Sequence, residues 1–165
     1  MFWVGQQVIY GTHGVCRITA MEVKSVGKEK KTYYVLEPVN QPGTVFYVPS
    51  CNQAAVAKIR TILTRDEFEK MLKSEKVRED TWIDDENLRR QRYRELIVQN
   101  DRAELISMVS ALYRHKKKQQ ESGRKFHVSD ENFLRDATKM LTEEFSLVLG
   151  IPRSEVEAYM KKELE

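Results

Sequence analysis

Cysteine and histidine are scarce in this chain. Two cysteines, Cys16 and Cys51, cannot build a disulfide framework or a four-ligand zinc site. The three histidines, His13, His115 and His127, lie too far apart for an HxH or HxxxH pair. Both cysteines read as packing residues in a reducing compartment, so the expected location is the cytoplasm, with no metal and no other cofactor. No apolar run approaches the roughly 18 residues of a membrane span. The start, Met1-Phe2-Trp3-Val4-Gly5-Gln6, has neither the basic nor the apolar region of a secretory leader. Also missing are a GxxxxGKS/T phosphate loop and a GxGxxG following a strand. The consecutive carboxylates Asp84, Asp85 and Glu86 diverge on a helix, so they read as charges at a positive helix end rather than as metal ligands. Catalysis is not expected.

Charge is present but unevenly spread. The 165 residues carry a formal net charge of only +3. Residues 1–63 sum to +4, residues 64–86 to −4, residues 87–125 to +7, and residues 126–165 to −4. A basic island between acidic flanks is the electrostatic pattern expected of a phosphate-binding surface.

The hydrophobic periodicity changes once. Up to Leu63, runs rich in Val, Tyr, Phe, Thr and Ile alternate with turn residues. Strands are expected near Val4–Tyr10, Val15–Val23, Thr32–Glu37, Thr44–Pro49 and Val56–Leu63, with breaks at Gly11…Gly14, Val26-Gly27-Lys28 and Asn40-Gln41-Pro42-Gly43. Five strands in so few residues suit a strongly bent SH3- or Tudor-like β-barrel rather than a sandwich. From Thr64 the spacing becomes helical. Thr64-Arg65-Asp66-Glu67 is a capping box, followed by Phe68, Met71 and Leu72. After a polar stretch, Lys73–Asp80, helices are expected over Asp84 to about Val98, from Asp101, from a Ser129 cap to Gly150, and from Pro152. The fold class is thus α+β in two domains: a barrel over residues 1–63, then a compact all-α domain of about five helices over residues 64–165, with residues 64–82 as connecting helix and linker.

Several quoted segments carry a family likeness. They are the opening Met1-Phe2-Trp3-Val4-Gly5-Gln6-Gln7-Val8-Ile9-Tyr10-Gly11-Thr12-His13-Gly14-Val15, then Tyr33-Tyr34-Val35-Leu36 and Val45-Phe46-Tyr47-Val48-Pro49. The helical half adds the Asn100-Asp101 junction and a following helix that ends in Leu112-Tyr113-Arg114. Together these resemble the CarD family of bacterial transcription regulators and the related RNA-polymerase-binding module of transcription-repair coupling factors. The resemblance implies that the barrel docks on the RNA polymerase β subunit by edge-to-edge strand pairing, with Lys24, Phe46, Tyr47 and Pro49 at the contact. Some relatives carry arginines where this chain has Lys24 and Tyr47. Lysine loses the bidentate fork and tyrosine the charge. The plainer reading makes Tyr10, Tyr33, Tyr34, Phe46 and Tyr47 core and rim. A methyl-lysine cage is disfavoured, because alternation sends Tyr33 and Tyr34 to opposite faces.

In the helical half, the resemblance implies that Trp82 wedges into the minor groove at the upstream edge of the melted promoter and that nearby cations hold phosphates. The DNA candidates are Trp82, Arg89, Arg90, Arg92, Arg114, Lys116 and Lys117. One departure is visible: Ile83-Asp84-Asp85-Glu86-Asn87-Leu88 separates the tryptophan from the arginines. A helix beginning at Trp82 returns Arg89 to nearly the same face; one beginning at Asp84 or later loses that relation. Packing of Trp82 against the helical core is the plainer alternative, and cations in Arg114–Lys118 also complement a helix C-terminus. The expected function is a monomeric transcription regulator that stabilises the open complex with little sequence choice. The competing readings are a barrel-plus-helix protein adapter that never meets DNA, and an RNA-associated barrel.

Overall fold

The computed structural model describes residues 1–164 and divides between Ile62 and Leu63 into two units. The first contains β1 (Gln7–Tyr10), β2 (Val15–Val26), β3 (Glu29–Pro38), β4 (Phe46–Pro49), a single helical turn α1 (Gln53–Val56) and β5 (Ile59–Thr61). All pairs are antiparallel and the order is β4-β3-β2-β1-β5, so β4 and β5 are the two edges of one open sheet. No ladder joins those edges among the described residues, so the expected barrel is here an open sheet. A register shift between Ile18 and Ala20 breaks the β2–β3 ladder, as a bulge does when it bends a strand. The two-residue turn between Val26 and Glu29 places Gly27 at φ +66°, which favours glycine at the first central position of a type II′ turn.

Alternation sends Val8, Cys16, Ile18, Tyr34, Leu36, Val48 and Ile59 into the core of this unit. The strand expected over Val56–Leu63 starts later. The Asn52 side chain accepts a hydrogen bond from the Ala55 N–H at 3.1 Å, and this cap winds Gln53–Val56 into a turn before β5.

The second unit comprises α2 (Arg65–Leu72), α3 (Glu75–Arg78), α4 (Glu86–Gln99), α5 (Arg102–Glu121), α6 (Val128–Leu149) and α7 (Arg153–Leu164). Both halves of the Thr64/Glu67 capping box form. The extra helix α3 lies in the stretch expected to be polar linker, and its single buried residue is Val77. Helix α5 is the central element, with every residue from Leu105 to Tyr113 buried. Leu134, Leu141 and Phe145 of α6 and Val156 and Met160 of α7 pack into the same core. Asn100, at φ 52°, ends α4, and the next residue, Asp101, caps α5. Helix α6 begins after His127, two residues before the expected Ser129 cap, and stops at Gly150 in the left-handed region.

No helix among the described residues is long and apolar enough to cross a membrane. No group of three or more His, Cys, Asp or Glu side chains among them is arranged to hold a metal ion.

Candidate functional site

In the first unit, the four polymerase candidates fall on or beside the edge strand β4. Among the described residues strand β4 pairs only with β3, in the register Tyr33↔Pro49, Tyr34↔Val48, Val35↔Tyr47 and Leu36↔Phe46. Its other side therefore presents backbone donors and acceptors to a partner, the condition for strand addition. Pro49 ends the strand and has no N–H to give. Phe46 is half-buried and points inward, with ring centroids 4.3 Å from His13 and 5.3 Å from Tyr10. Tyr47 is exposed on the opposite face, and the Lys24 ammonium sits 3.5 Å from its ring centroid. A cation at that distance gains from the ring quadrupole. Two residues far apart in sequence thus form one surface feature, an aromatic face carrying one positive charge, flanked by Glu22 at 4.0 Å from Lys24.

In the second unit, Trp82 lies in the loop before α4 and is half-buried. The helix begins at Glu86, because the Asp85 side chain accepts from the Leu88 N–H at 2.9 Å. A helix face therefore does not relate Trp82 to Arg89, yet the two touch. The Arg89 guanidinium carbon lies 4.2 Å from the indole centroid. It gets there because Arg89 Nη1 donates to the carbonyls of Ile83 at 2.8 Å and Asp84 at 3.3 Å, folding the loop back on the first turn of α4. The His115 imidazole, from α5, stacks on the same indole at 3.8 Å with an interplanar angle of 13°. Two planar groups at these distances cannot share a face, so both faces of the indole are covered and only its edge is presented.

Each covering group has its own carboxylate. Arg89 Nε and Nη2 donate to the two oxygens of Asp130, on α6, at 2.9 and 2.8 Å, and the pair is essentially inaccessible to water. Burial alone would weaken the hold of Arg89 on its proton; Asp130 more than offsets this and raises its pKa. His115 Nε2 lies 3.5 Å from Asp80 Oδ1, which also accepts from the Trp82 backbone N–H at 3.2 Å. Burial lowers the His115 pKa despite the Asp80 charge. Burial works to raise that of Asp80, but the Trp82 N–H and the His115 and Arg114 charges bring it below its ordinary value.

The remaining cations differ in availability. Arg89 is 2% exposed and its donors are directed to Asp130 and two carbonyls. The structure thus places the expected DNA cation Arg89 inside the helical unit, on Asp130 and the two carbonyls, rather than at the surface. Arg114 donates to the carbonyls of Arg78 and Glu79 at 3.2 and 3.3 Å, which ties α5 to the end of α3. Arg90 pairs with Glu86 and Arg92 with Glu95 (3.6 Å) along α4, both partly exposed. Lys116 pairs with Glu131 at 2.9 Å, while Lys117 is exposed and makes no ion pair among the described residues. Arg94, a member of the α4 run outside the original candidates, is exposed in the same way.

Sequence reasoning missed Asp80, Asp130 and the stacking role of His115. Asp130 looks like an ordinary first-turn acid of α6, and nothing local ties it to Arg89, 41 residues earlier.

Residues 2–63, essentially the whole first unit, match the family model described as the CarD-like/TRCF RID domain. No curated protein matches the chain.

Proposed function

We infer the role of this chain from its membership, through residues 2–63, in the CarD-like/TRCF RID family, an RNA-polymerase-interacting domain that acts in transcription. The chain is a non-enzymatic transcription regulator in two working parts. Its sheet binds the polymerase β subunit through the open side of β4, with Tyr47 and Lys24 beside the added strand and Pro49 closing the register. Its helical unit contacts promoter DNA at the upstream edge of the bubble and stabilises the open complex.

In that contact the Trp82 edge is the wedge. An apolar side chain inserted at an opened or kinked step holds the step apart, and with both indole faces covered Trp82 acts by inserting its edge rather than by stacking on a base. One such contact lengthens the life of an open complex by about tenfold for each ~1.4 kcal/mol. Lys117, Arg90, Arg92 and Lys116 supply phosphate contacts, the last three by exchanging a carboxylate partner for a phosphate. Such contacts carry affinity and salt dependence but little sequence choice. Because the polymerase holds the first unit, the DNA contact is effectively intramolecular, and a weak intrinsic affinity suffices.

The observation that carries this reading is the family match over residues 2–63. It is tested by co-purification of the intact chain with RNA polymerase, alongside Tyr47→Asp. The intact chain is expected to retain the β subunit and the variant to lose it. Recovery of some other protein and no polymerase subunit would favour a protein adapter instead.

A further inference from the structure

We infer that Asp130 is a positioning residue for Trp82, acting through Arg89; the inference rests on the reading of Trp82 as the DNA wedge. The Arg89 guanidinium is planar, and its donors radiate in that plane. Two of them meet the Asp130 oxygens at 2.9 and 2.8 Å, and Nη1 meets the Ile83 and Asp84 carbonyls at 2.8 and 3.3 Å. These bonds engage four of its five N–H donors and fix the guanidinium plane, and the fixed cation lies over the Trp82 ring, its carbon 4.2 Å from the ring centroid. Asp130 therefore fixes the cation, and the cation sits over the indole and braces it. The two carbonyls belong to the two residues after Trp82, so the same fork also fixes the backbone that carries the ring.

The residue types suit this task and little else would. A lysine at position 89 would keep the charge but lose the flat face and the fork. An asparagine at position 130 would turn one acceptor into a donor facing Arg89 donors and break one arm. If packing alone were wanted, a buried ion pair would be a poor choice, since apolar residues of similar volume are often as stabilising or more so. What the pair adds is direction. His115 closes the opposite face at 3.8 Å, so the indole has no second plane into which to relax.

The test uses the full chain in a Trp3→Phe background, so that Trp82 is the one fluorophore of its kind. Asp130→Asn and the double replacement Arg89→Met/Asp130→Leu are compared with the parent. The double variant removes the buried charges together and keeps an apolar core, so it reports even if Asp130→Asn fails to fold. Thermal melts establish that each variant is folded. The readouts are acrylamide quenching and emission wavelength of Trp82, then open-complex lifetime at saturating polymerase.

The proposal expects the folded double variant to show increased quenching, red-shifted emission and an open-complex lifetime reduced toward that of Trp82→Ala. A folded double variant with parental quenching, emission and lifetime would overturn it, leaving Asp130 as a core ion pair only. Released fluorescence with lifetimes unchanged in both the double variant and Trp82→Ala would support the positioning of Trp82 and reject the DNA reading on which its purpose rests.

Discussion

The imidazole of His115 lies face to face with the indole of Trp82, with ring centroids 3.8 Å apart and planes 13° from parallel. A residue of α5 thereby holds a loop that the sequence separates from it by more than thirty positions. Burial depresses the His115 pKa below its ordinary 6.5, Lys118 pushes the same way, and the Asp80 charge opposes both. Unfolded, His115 takes a proton more readily than when folded. Above its ordinary value both states are neutral and the residue costs nothing; as pH falls below that value, the unfolded state gains protons first and stability declines. The decline levels off once pH passes below the folded pKa. Thermal melts from pH 7.5 to 5.5 are therefore expected to show a steeper loss for the parent than for His115→Gln. Parallel profiles would remove His115 from the pH response.

Tyr93 offers a stability test with the opposite sign. It is 1% exposed, one turn along α4 from Arg89, and its hydroxyl has no hydrogen-bond partner among the described residues. Burial first, then the Asp130 charge, push the phenol pKa above its ordinary value. A buried hydroxyl without a partner costs about 1–3 kcal/mol. Tyr93→Phe is expected to leave the fold intact and raise stability by about 1 kcal/mol in denaturant titrations. A loss of similar size would mean that the hydroxyl is satisfied in solution.

Glu144 is the ionic anchor of the second unit. Its side chain is 3% exposed, accepts the Leu63 backbone N–H at 3.1 Å, and meets Arg102 at 2.6 Å. Removing Glu144 takes a buried carboxylate away from the Arg102 guanidinium and an acceptor away from the Leu63 N–H. Glu144→Ala is expected to cost about 3–5 kcal/mol in equilibrium unfolding. A cost below 1 kcal/mol would mean that Arg102 re-partners.

The cations differ in availability, and that difference shows in the salt response. Lys117 and Arg94 are exposed and make no ion pair among the described residues, whereas Arg89 is committed to Asp130. If both exposed cations contact phosphate, Lys117→Ala/Arg94→Ala lowers the slope of log K against log salt by about 1.8, since each contact contributes about 0.9. An unchanged slope would assign both to solvent.

Much of the fold can be read locally. The Thr64/Glu67 capping box, the Asn100-Asp101 junction and the Gly150 stop are short-range patterns, and each forms where its residues require. Some departures from the sequence pattern arise where local signals compete. The Asn52 cap draws Val56 into a helical turn, and α3 forms with Val77 buried inside a stretch whose composition reads as linker. The site is less legible because its contacts are long-range. The family resemblance implies Arg89 as a DNA cation, yet its partner Asp130 comes from α6, where an acid in the first turn has an ordinary dipole explanation. Trp82 and His115 were both visible as residues, but their stacking depends on how α5 passes the loop. The Lys24–Tyr47 contact in the sheet was hidden for the same reason.

The most direct measurement is the lifetime of open promoter complexes formed with saturating polymerase, parent against Trp82→Ala, with β-subunit binding checked in parallel. The account predicts unchanged polymerase binding and a lifetime shortened by about tenfold, the equivalent of ~1.4 kcal/mol. Equal lifetimes with equal binding would contradict it.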